Sequence, residues 1–114
     1  MVLNIKTVKI NELIRDEKVK PWSPIELARV NDHVVRFVFC KGEYHWHKHS
    51  SEDELFFVVK GQLLIKMRKP YNDLTLNKGE MAVIPKGVEH CPVSPKDSYI
   101  LLFEPKKLIS EGDR

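Results

Sequence analysis

Residues 42–61 of this chain read GEYHWHKHSSEDELFFVVKG, which joins a cluster of histidines to an apolar run. Histidines stand at positions 45, 47 and 49, and Glu54 opens the run that ends before Gly61. In an extended chain alternate side chains point to the same side, at a spacing of about 7 Å. The pattern therefore predicts a strand with three imidazoles on one face, followed closely by carboxylates.

Imidazole nitrogen and carboxylate oxygen together form a ligand set of first-row transition metals. A fourth imidazole comes from His90, which follows the turn at Pro85 and Gly87. The competing interpretation is a solvated strand face, but that does not explain the register of the histidines with Glu54 and His90. The residue types therefore favour a metal site.

The chain after Pro24 predicts short β-strands separated by turn residues. A hairpin is expected from Ile25–Val30 and His33–Cys40, with Asn31 and Asp32 at its turn. Further strands are expected at residues 54–60, 63–67, 74–76, 81–84, 88–93 and 98–104. Many short strands at this spacing are typical of a sandwich or small barrel, so the predicted fold class is all-β.

The segment before the barrel is expected to act as an arm. Ile10, Leu13 and Ile14 stand at helical spacing, which predicts one or two turns of helix and no longer helix elsewhere. The C-terminal residues are expected to be a poorly packed tail. The predicted organisation is an arm at residues 1–24, a barrel at 25–105 and a tail at 106–114.

Length and composition exclude several classes of protein. The 114 residues favour one domain, and a hydrophobic content of 42% is ordinary for a globular chain. The longest apolar runs have five residues, whereas a membrane span needs about 20, so no membrane partner is expected. The N-terminus lacks the apolar stretch of a secretion signal, which predicts a cytoplasmic protein.

Charge and cysteine content add two further expectations. The net charge of +3 comes from lysines scattered among acids, which does not favour a nucleic-acid partner. Cys40 and Cys91 form no CxxC pair, so zinc-finger and thioredoxin-like classes have no support. Both cysteines are expected to be small buried side chains.

The spacing of glycines, prolines and histidines defines two motifs. The first is Gly42, four residues, His47-x-His49, four residues, Glu54, six residues, Gly61; the second is Gly79, five residues, Pro85-x-Gly87, two residues, His90, three residues, Ser94. In this order they resemble the two signature motifs of the cupin superfamily, in particular its small single-domain members, which are sometimes labelled phosphomannose-isomerase-like. Two positions depart from the usual pattern: the first motif is one residue shorter before its first histidine, and Ser94 replaces the usual Asn.

The resemblance implies a double-stranded β-helix, or jelly-roll barrel, in which His47, His49, Glu54 and His90 bind a divalent transition metal. Fe, Mn, Ni, Zn and Cu all suit this ligand set. Such a set leaves one or two positions open on an octahedral ion, as a catalytic site requires. Small cupins often pair and exchange N-terminal strands, so the resemblance also implies a homodimer in which the arm can be exchanged.

Three further side chains are candidates to face a substrate: His45, Arg36 and Lys66. His45 has the same parity as the two ligand histidines after it but is expected nearer the barrel mouth. Arg36 and Lys66 either hold an anionic substrate or are surface charges. Glu52 and Asp53 are rival carboxylates, but Asp53 has the opposite parity and Glu52 falls in the loop.

Two classes of function follow from the resemblance. The first is an enzyme, such as an oxygenase or isomerase, that uses the metal on a small oxygenated molecule. The second is a non-catalytic protein that binds a small molecule or the metal itself. A barrel with a vestigial site is disfavoured because all four ligand types are present, whereas the sequence leaves the first two classes open.

Overall fold

The computed structural model describes residues 1–107 and Gly112, and within them it is built almost entirely of β-strands. Its elements are, in chain order, α1 (Ile10–Ile14), β1 (Ile25–Val30), β2 (His33–Glu43), β3 (Glu54–Lys60), β4 (Gln62–Met67), β5 (Leu74–Asn77), β6 (Met81–Ile84) and β7 (His90–Pro105). The predicted all-β class with at most short helices is confirmed. None of the described residues belongs to a helix with the length and apolar character needed to cross a bilayer.

The strands pair in an antiparallel sheet that is shared between two layers. β1, β2, β7, β3 and β6 lie side by side in that order, whereas β4 pairs with β5 and with the start of β7. The first residues of β7, from His90 to Val93, contact β4, and its later residues contact β2 and β3. Because β7 runs through both layers, the sheet closes into the double-stranded β-helix that the motifs predict.

The long strand β7 differs from the two strands predicted at 88–93 and 98–104. Gly42 and Cys40 of β2 pair with Ser94 and Ser98 of β7, with a register shift between them. The three residues from Pro95 onward are exposed at this shift. The pairing of β7 with β2 therefore continues on both sides of Pro95, although the local sequence predicts a loop there.

An apolar core fills the barrel. Its buried members are Val38, Cys40, Phe56, Val58, Leu63, Ile65, Leu76, Ile84, Val88, Ile100 and Leu102. Along β3, buried residues alternate with partly exposed ones, as the period-two pattern predicts. Cys40 and Cys91 are both unpaired and buried as expected, and burial raises the pKa of Cys40 to about 12.

The arm and the tail are both attached to the barrel. The helix α1 forms where the spacing of apolar residues predicts it. Pro21 forms an isolated parallel bridge with Phe39, which joins the end of the arm to β2. After β7, the backbone N–H of Lys106 donates to the carbonyl of Asp32 at 2.8 Å. The remaining tail residues, 108–111 and 113–114, lie outside the described part of the chain.

Candidate metal centre

Four buried side chains with metal-binding atoms converge at one end of the barrel interior. They are His47, His49, Glu54 and His90, and one ligand atom from each lies within 4.8 Å of the others. None of the four residues is more than 8% exposed. The structure thus brings together the ligand set that the sequence predicts.

The starts of two strands and the connection between two others position these side chains. Glu54 is the first residue of β3, and His90 is the first residue of β7. His47 and His49 lie between β2 and β3, in an extended connection rather than the predicted strand. The backbones of His47 and His90 exchange two hydrogen bonds, of 3.0 and 2.9 Å, which hold the connection against β7. The side chains of His47 and His49 still lie on the same side of the chain, as the sequence predicts, and their ring centroids are 5.3 Å apart.

Backbone carbonyls orient two of the rings. The Nδ1 atom of His47 lies 2.9 Å from the carbonyl oxygen of His45. The Nδ1 atom of His90 lies at the same distance from the carbonyl oxygen of Val88. A neutral imidazole that donates Nδ1–H to a carbonyl keeps its lone pair on Nε2. Both rings therefore offer Nε2 as a metal ligand.

Three polar atoms of the group are buried without a hydrogen-bond partner: His49 Nε2, His90 Nε2 and Glu54 Oε1. The Glu54 oxygen lies 3.2 Å from the His49 nitrogen and 3.6 Å from the His90 nitrogen. An unsatisfied buried polar atom costs about 1–3 kcal/mol, so three that converge on one point are expected where an ion completes them. The residues present therefore fit a divalent transition metal.

Burial and contacts set the charge of the group. Burial lowers the pKa of the His47 imidazole to about 4. Burial alone would raise the pKa of Glu54, but the imidazoles of His49 and His90 outweigh it and hold that pKa below its usual range. At neutral pH His47 is therefore neutral and Glu54 is ionised, which are the states that bind a metal.

A second buried acidic side chain, Glu104, lies beside the group and was missed by sequence reasoning. The pairing of Leu55 with Phe103 puts Glu104 next to Glu54 on the inner face of the sheet. Burial and the Glu54 carboxylate raise the pKa of Glu104. The guanidinium of Arg36 opposes this rise, since its Nη1 lies 2.5 Å from Oε1 of Glu104. Arg36, a predicted substrate-facing residue, is thus paired with an acid. An acid at an inward position of an apolar strand was the available signal.

The other two predicted substrate-facing residues lie in different places. His45 is exposed at the barrel mouth, where its ring centroid is 5.1 Å from that of His47 and 3.9 Å from that of Tyr44. Lys66 points outward, and its Nζ lies 2.6 Å from a carboxylate oxygen of Glu43. The structure therefore brings His45 to the edge of the site and does not bring Lys66 there.

The rival carboxylates make other contacts. Glu52 lies 3.4 Å from the Nζ of Lys107. Asp53 accepts a hydrogen bond of 2.9 Å from the backbone N–H of Lys86. Neither side chain belongs to the buried group, in agreement with their predicted parity and loop position.

Ser94, which stands where the second motif usually has Asn, holds the bend of β7. It is 2% exposed, and its hydroxyl lies 2.6 Å from that of Ser98. The same hydroxyl donates to the carbonyl of Lys96. Ser94 therefore fixes the path of the strand that begins with His90.

Gly112 of the tail packs against the metal group. It is buried, with a φ of +92°, and a Cβ atom at this position would lie 2.5 Å from the Cβ of His47. Only glycine fits this approach without a shift of the imidazole. One residue of the segment expected to be poorly packed is thus in contact with a candidate ligand.

A cavity of about 30 Å³ opens beside the group. Its polar end is formed by His47 and Glu54. Its remaining walls are Trp22, Pro24, Val38, Tyr44, Phe56, Pro92, Ile100 and Leu102. No lysine or arginine is among the described residues that line it. A volume of this size has room for about two water molecules.

A jelly-roll barrel with a buried group of three histidines and one glutamate is the architecture of a metal-binding cupin. The family model of the cupin domain matches residues 35–103 of this chain. The chain therefore belongs to the cupin domain family.

Individual relatives agree with this assignment. The YdbB protein of Bacillus subtilis strain 168 is 39% identical over 77 residues, which cover 68% of this chain and 67% of that protein. A cupin-2 domain-containing protein from Shewanella frigidimarina is also 39% identical and superposes with a TM-score of 0.80, over 86% of this chain and 93% of that one. The 3-hydroxyanthranilate 3,4-dioxygenase 2 of Aspergillus fumigatus is 28% identical over 74% of this chain, which spans only 46% of that enzyme.

Proposed function

We propose that this protein binds a divalent transition metal ion, of Fe, Mn, Ni, Zn or Cu, and uses it on a small oxygenated molecule. The observation that carries the proposal is the set of three partnerless buried atoms on His49, His90 and Glu54. An ion bound between them satisfies all three atoms at once.

The ion would supply Lewis acidity to an oxygen-containing ligand. The chain itself supplies the other requirements of such a site. The carbonyls of His45 and Val88 hold two imidazoles in the tautomer that binds a metal. The apolar walls of the cavity limit the access of water, which strengthens electrostatic interactions at its polar end.

A similarity to a dioxygenase supports an enzyme over a passive binding protein. The Aspergillus relative is named for the oxygenation of 3-hydroxyanthranilate, and its similarity covers 74% of this chain. The non-catalytic class remains the alternative, and turnover decides between the two. Oxygen uptake or product formation on a panel of small hydroxylated molecules supports the enzyme, whereas ligand-induced thermal stabilisation without turnover supports the binding protein.

Metal content tests the site directly. Protein purified without added metal is expected to hold about one transition-metal ion per chain. The double variant His47→Gln/His90→Gln is expected to hold almost none and to keep its far-ultraviolet spectrum, because the core lies deeper in the barrel. The control His33→Gln replaces a histidine outside the group and is expected to retain the metal. Unchanged metal content in the double variant would contradict the assignment.

We further propose that the chain works in the cytoplasm as a homodimer. Exposed apolar side chains on the outer face of the sheet support the dimer: Met81 is 64% exposed, Val83 53% and Phe103 37%. Val83 and Phe103 lie in one row, since both pair with Leu55. An apolar row of this kind is typical of a surface that a partner covers. Two unpaired cysteines agree with a reducing compartment.

A further inference from the structure

The arm closes one side of the cavity beside the metal group. Trp22 and Pro24 belong to the arm, whereas the other walls belong to β2, β3, β7 and the connection between β2 and β3. The volume of the cavity is about 30 Å³, whereas a cavity that holds benzene measures about 150 Å³. A ring-sized molecule therefore enters only if a wall moves, and the walls within the β-ladders are the least able to move.

Trp22 is held in place by a small number of contacts. Its backbone N–H donates to the carbonyl of Phe39 at 2.8 Å, and its indole N–H donates to the carbonyl of Lys41 at 2.8 Å. Its ring stacks on Tyr44 with centroids 4.9 Å apart. The backbone φ of Trp22 is +57°, and this conformation is unfavourable for a bulky side chain. Such backbone conformations concentrate at functional sites and at segments that switch.

The walls of the cavity determine which molecule suits it. Tyr44 presents the ring face on which the indole now stacks, and Phe56 and Leu102 add apolar surface. With a divalent ion bound at the proposed ligands, the polar end can accept an oxygen atom of the ligand, while the remaining walls offer only apolar and aromatic surface.

We propose that Trp22 is a movable wall of the metal-centre cavity, and that a planar ring takes the place of its indole against Tyr44. The inference rests on the proposed function, because the polar end of the cavity is formed by two of the proposed metal ligands. It makes Trp22 the residue that determines the size of molecule admitted. Phenols and aromatic diols are the class of ligand that this space recognises.

Fluorescence of Trp22 reports its movement. The chain has two tryptophans, so Trp46→Phe leaves Trp22 as the sole indole. In this variant loaded with zinc, catechol is expected to shift the emission to longer wavelength and to increase quenching by acrylamide, both saturably. Cyclohexanol, an oxygen ligand of similar size without a planar ring, is expected to cause no saturable change.

Affinity measured by calorimetry gives a second readout. Trp22→Ala is expected to bind catechol about tenfold more tightly, because the open state no longer has to be populated first. Tyr44→Ala is expected to bind it several-fold more weakly, as for the loss of one ring contact. If Trp22→Ala does not fold, Trp22→Phe, which lacks the indole N–H, is expected to show a smaller gain in affinity.

Each contrary result overturns a different part of the proposal. Catechol binding with unchanged Trp22 emission excludes the movable wall. If Trp22→Ala does not fold, an unchanged affinity for catechol in Trp22→Phe also excludes the movable wall. A fully zinc-loaded protein that binds no catechol, with or without Trp22, excludes the ring ligand and leaves the proposed metal site intact. A protein that holds no zinc overturns the proposed function itself and this inference with it.

Discussion

Two glutamates two positions apart differ in every property that concerns a metal ion. Glu54 is 1% exposed and faces His49 and His90. The Glu52 carboxylate lies 3.4 Å from the ammonium of Lys107, outside the group.

Replacement of each glutamate by its amide separates them. Glu54→Gln removes the negative charge from the buried group and is expected to weaken metal binding by at least about tenfold. Glu52→Gln is expected to change it by less than about twofold, the size of a surface charge effect. Competition with a chelator measures both, and equal losses would show that the wrong carboxylate has been assigned.

The imidazole of His47 links the stability of the metal-free protein to pH. Its pKa is about 4 in the folded chain, against an ordinary value of 6.5. Between these values the unfolded chain binds a proton that the folded chain does not, so stability falls as the pH falls from about 6.5 to 4. Glu54, whose pKa is depressed, adds a loss that develops below its ordinary value of 4.5.

Thermal melts of metal-free protein between pH 7 and pH 4.5 test this linkage. The melting temperature is expected to fall across this interval, and His47→Gln is expected to make it less dependent on pH because glutamine does not titrate. A variant whose melting temperature falls as steeply as that of the parent would remove His47 as the cause. Metal release with acid is expected to be steeper than one titration, since several imidazoles are protonated as the ion leaves.

At the scale of elements, the turn between β3 and β4 has no room for a side chain. Gly61 has a φ of +89°, and a Cβ there would lie 2.6 Å from the Cβ of Ser98 and 2.9 Å from the carbonyl oxygen of Asp97. Gly79 has a similar φ of +84° but no atom within 4 Å of the same position. A side chain at Gly79 would therefore meet only an unfavourable backbone conformation. A side chain at Gly61 would meet the same conformation and also clash with β7.

Alanine at each glycine is expected to destabilise the protein by different amounts. Gly79→Ala is expected to lower the free energy of unfolding by about 1–2 kcal/mol through the left-handed backbone alone. Gly61→Ala is expected to lose about 1–3 kcal/mol more, because the added methyl group displaces β7. Urea denaturation measures both values, and equal losses would mean that the turn accommodates the methyl group.

The elements that local sequence determines were predictable. The hairpin of β1 and β2 turns at Asn31, which adopts a φ of +56° that asparagine tolerates. The alternation along β3 likewise follows from one buried face. The continuity of β7 was not predictable, because it depends on the pairing of β2 on both sides of Pro95. The sequence of one strand does not indicate which strand lies beside it.

At the scale of the whole molecule, the outer face of the sheet is where the proposed dimer can be tested. Phe103→Lys places a charge in the apolar row that contains Val83 and is expected to convert the proposed dimer into a monomer. Light scattering coupled to gel filtration measures the mass, with Tyr71→Lys as a matched control at an exposed aromatic residue outside the sheet. A parent protein that is monomeric at micromolar concentration would contradict the proposal.

In the candidate site, likewise, the residues set by local spacing were predictable and the contacts between distant residues were not. The four converging residues were predictable because motif spacing specifies them residue by residue. The pairing of Arg36 with Glu104 was not, since these residues are separated by 68 positions and meet only through the register of β2 and β7. The position of Trp22 depends on contacts with the carbonyls of Phe39 and Lys41, which no periodicity indicates.

The position of His90 at the start of β7 also bears on how the group assembles. His47 and His49 are close in sequence, whereas His90 is held by a strand that pairs first with β4 and then lies between β2 and β3. Closing so long a loop before the barrel exists is entropically unfavourable. The proposed ion is consequently expected to enter a barrel that has already formed, so that metal supply sets the metal-loaded fraction without setting the rate of folding.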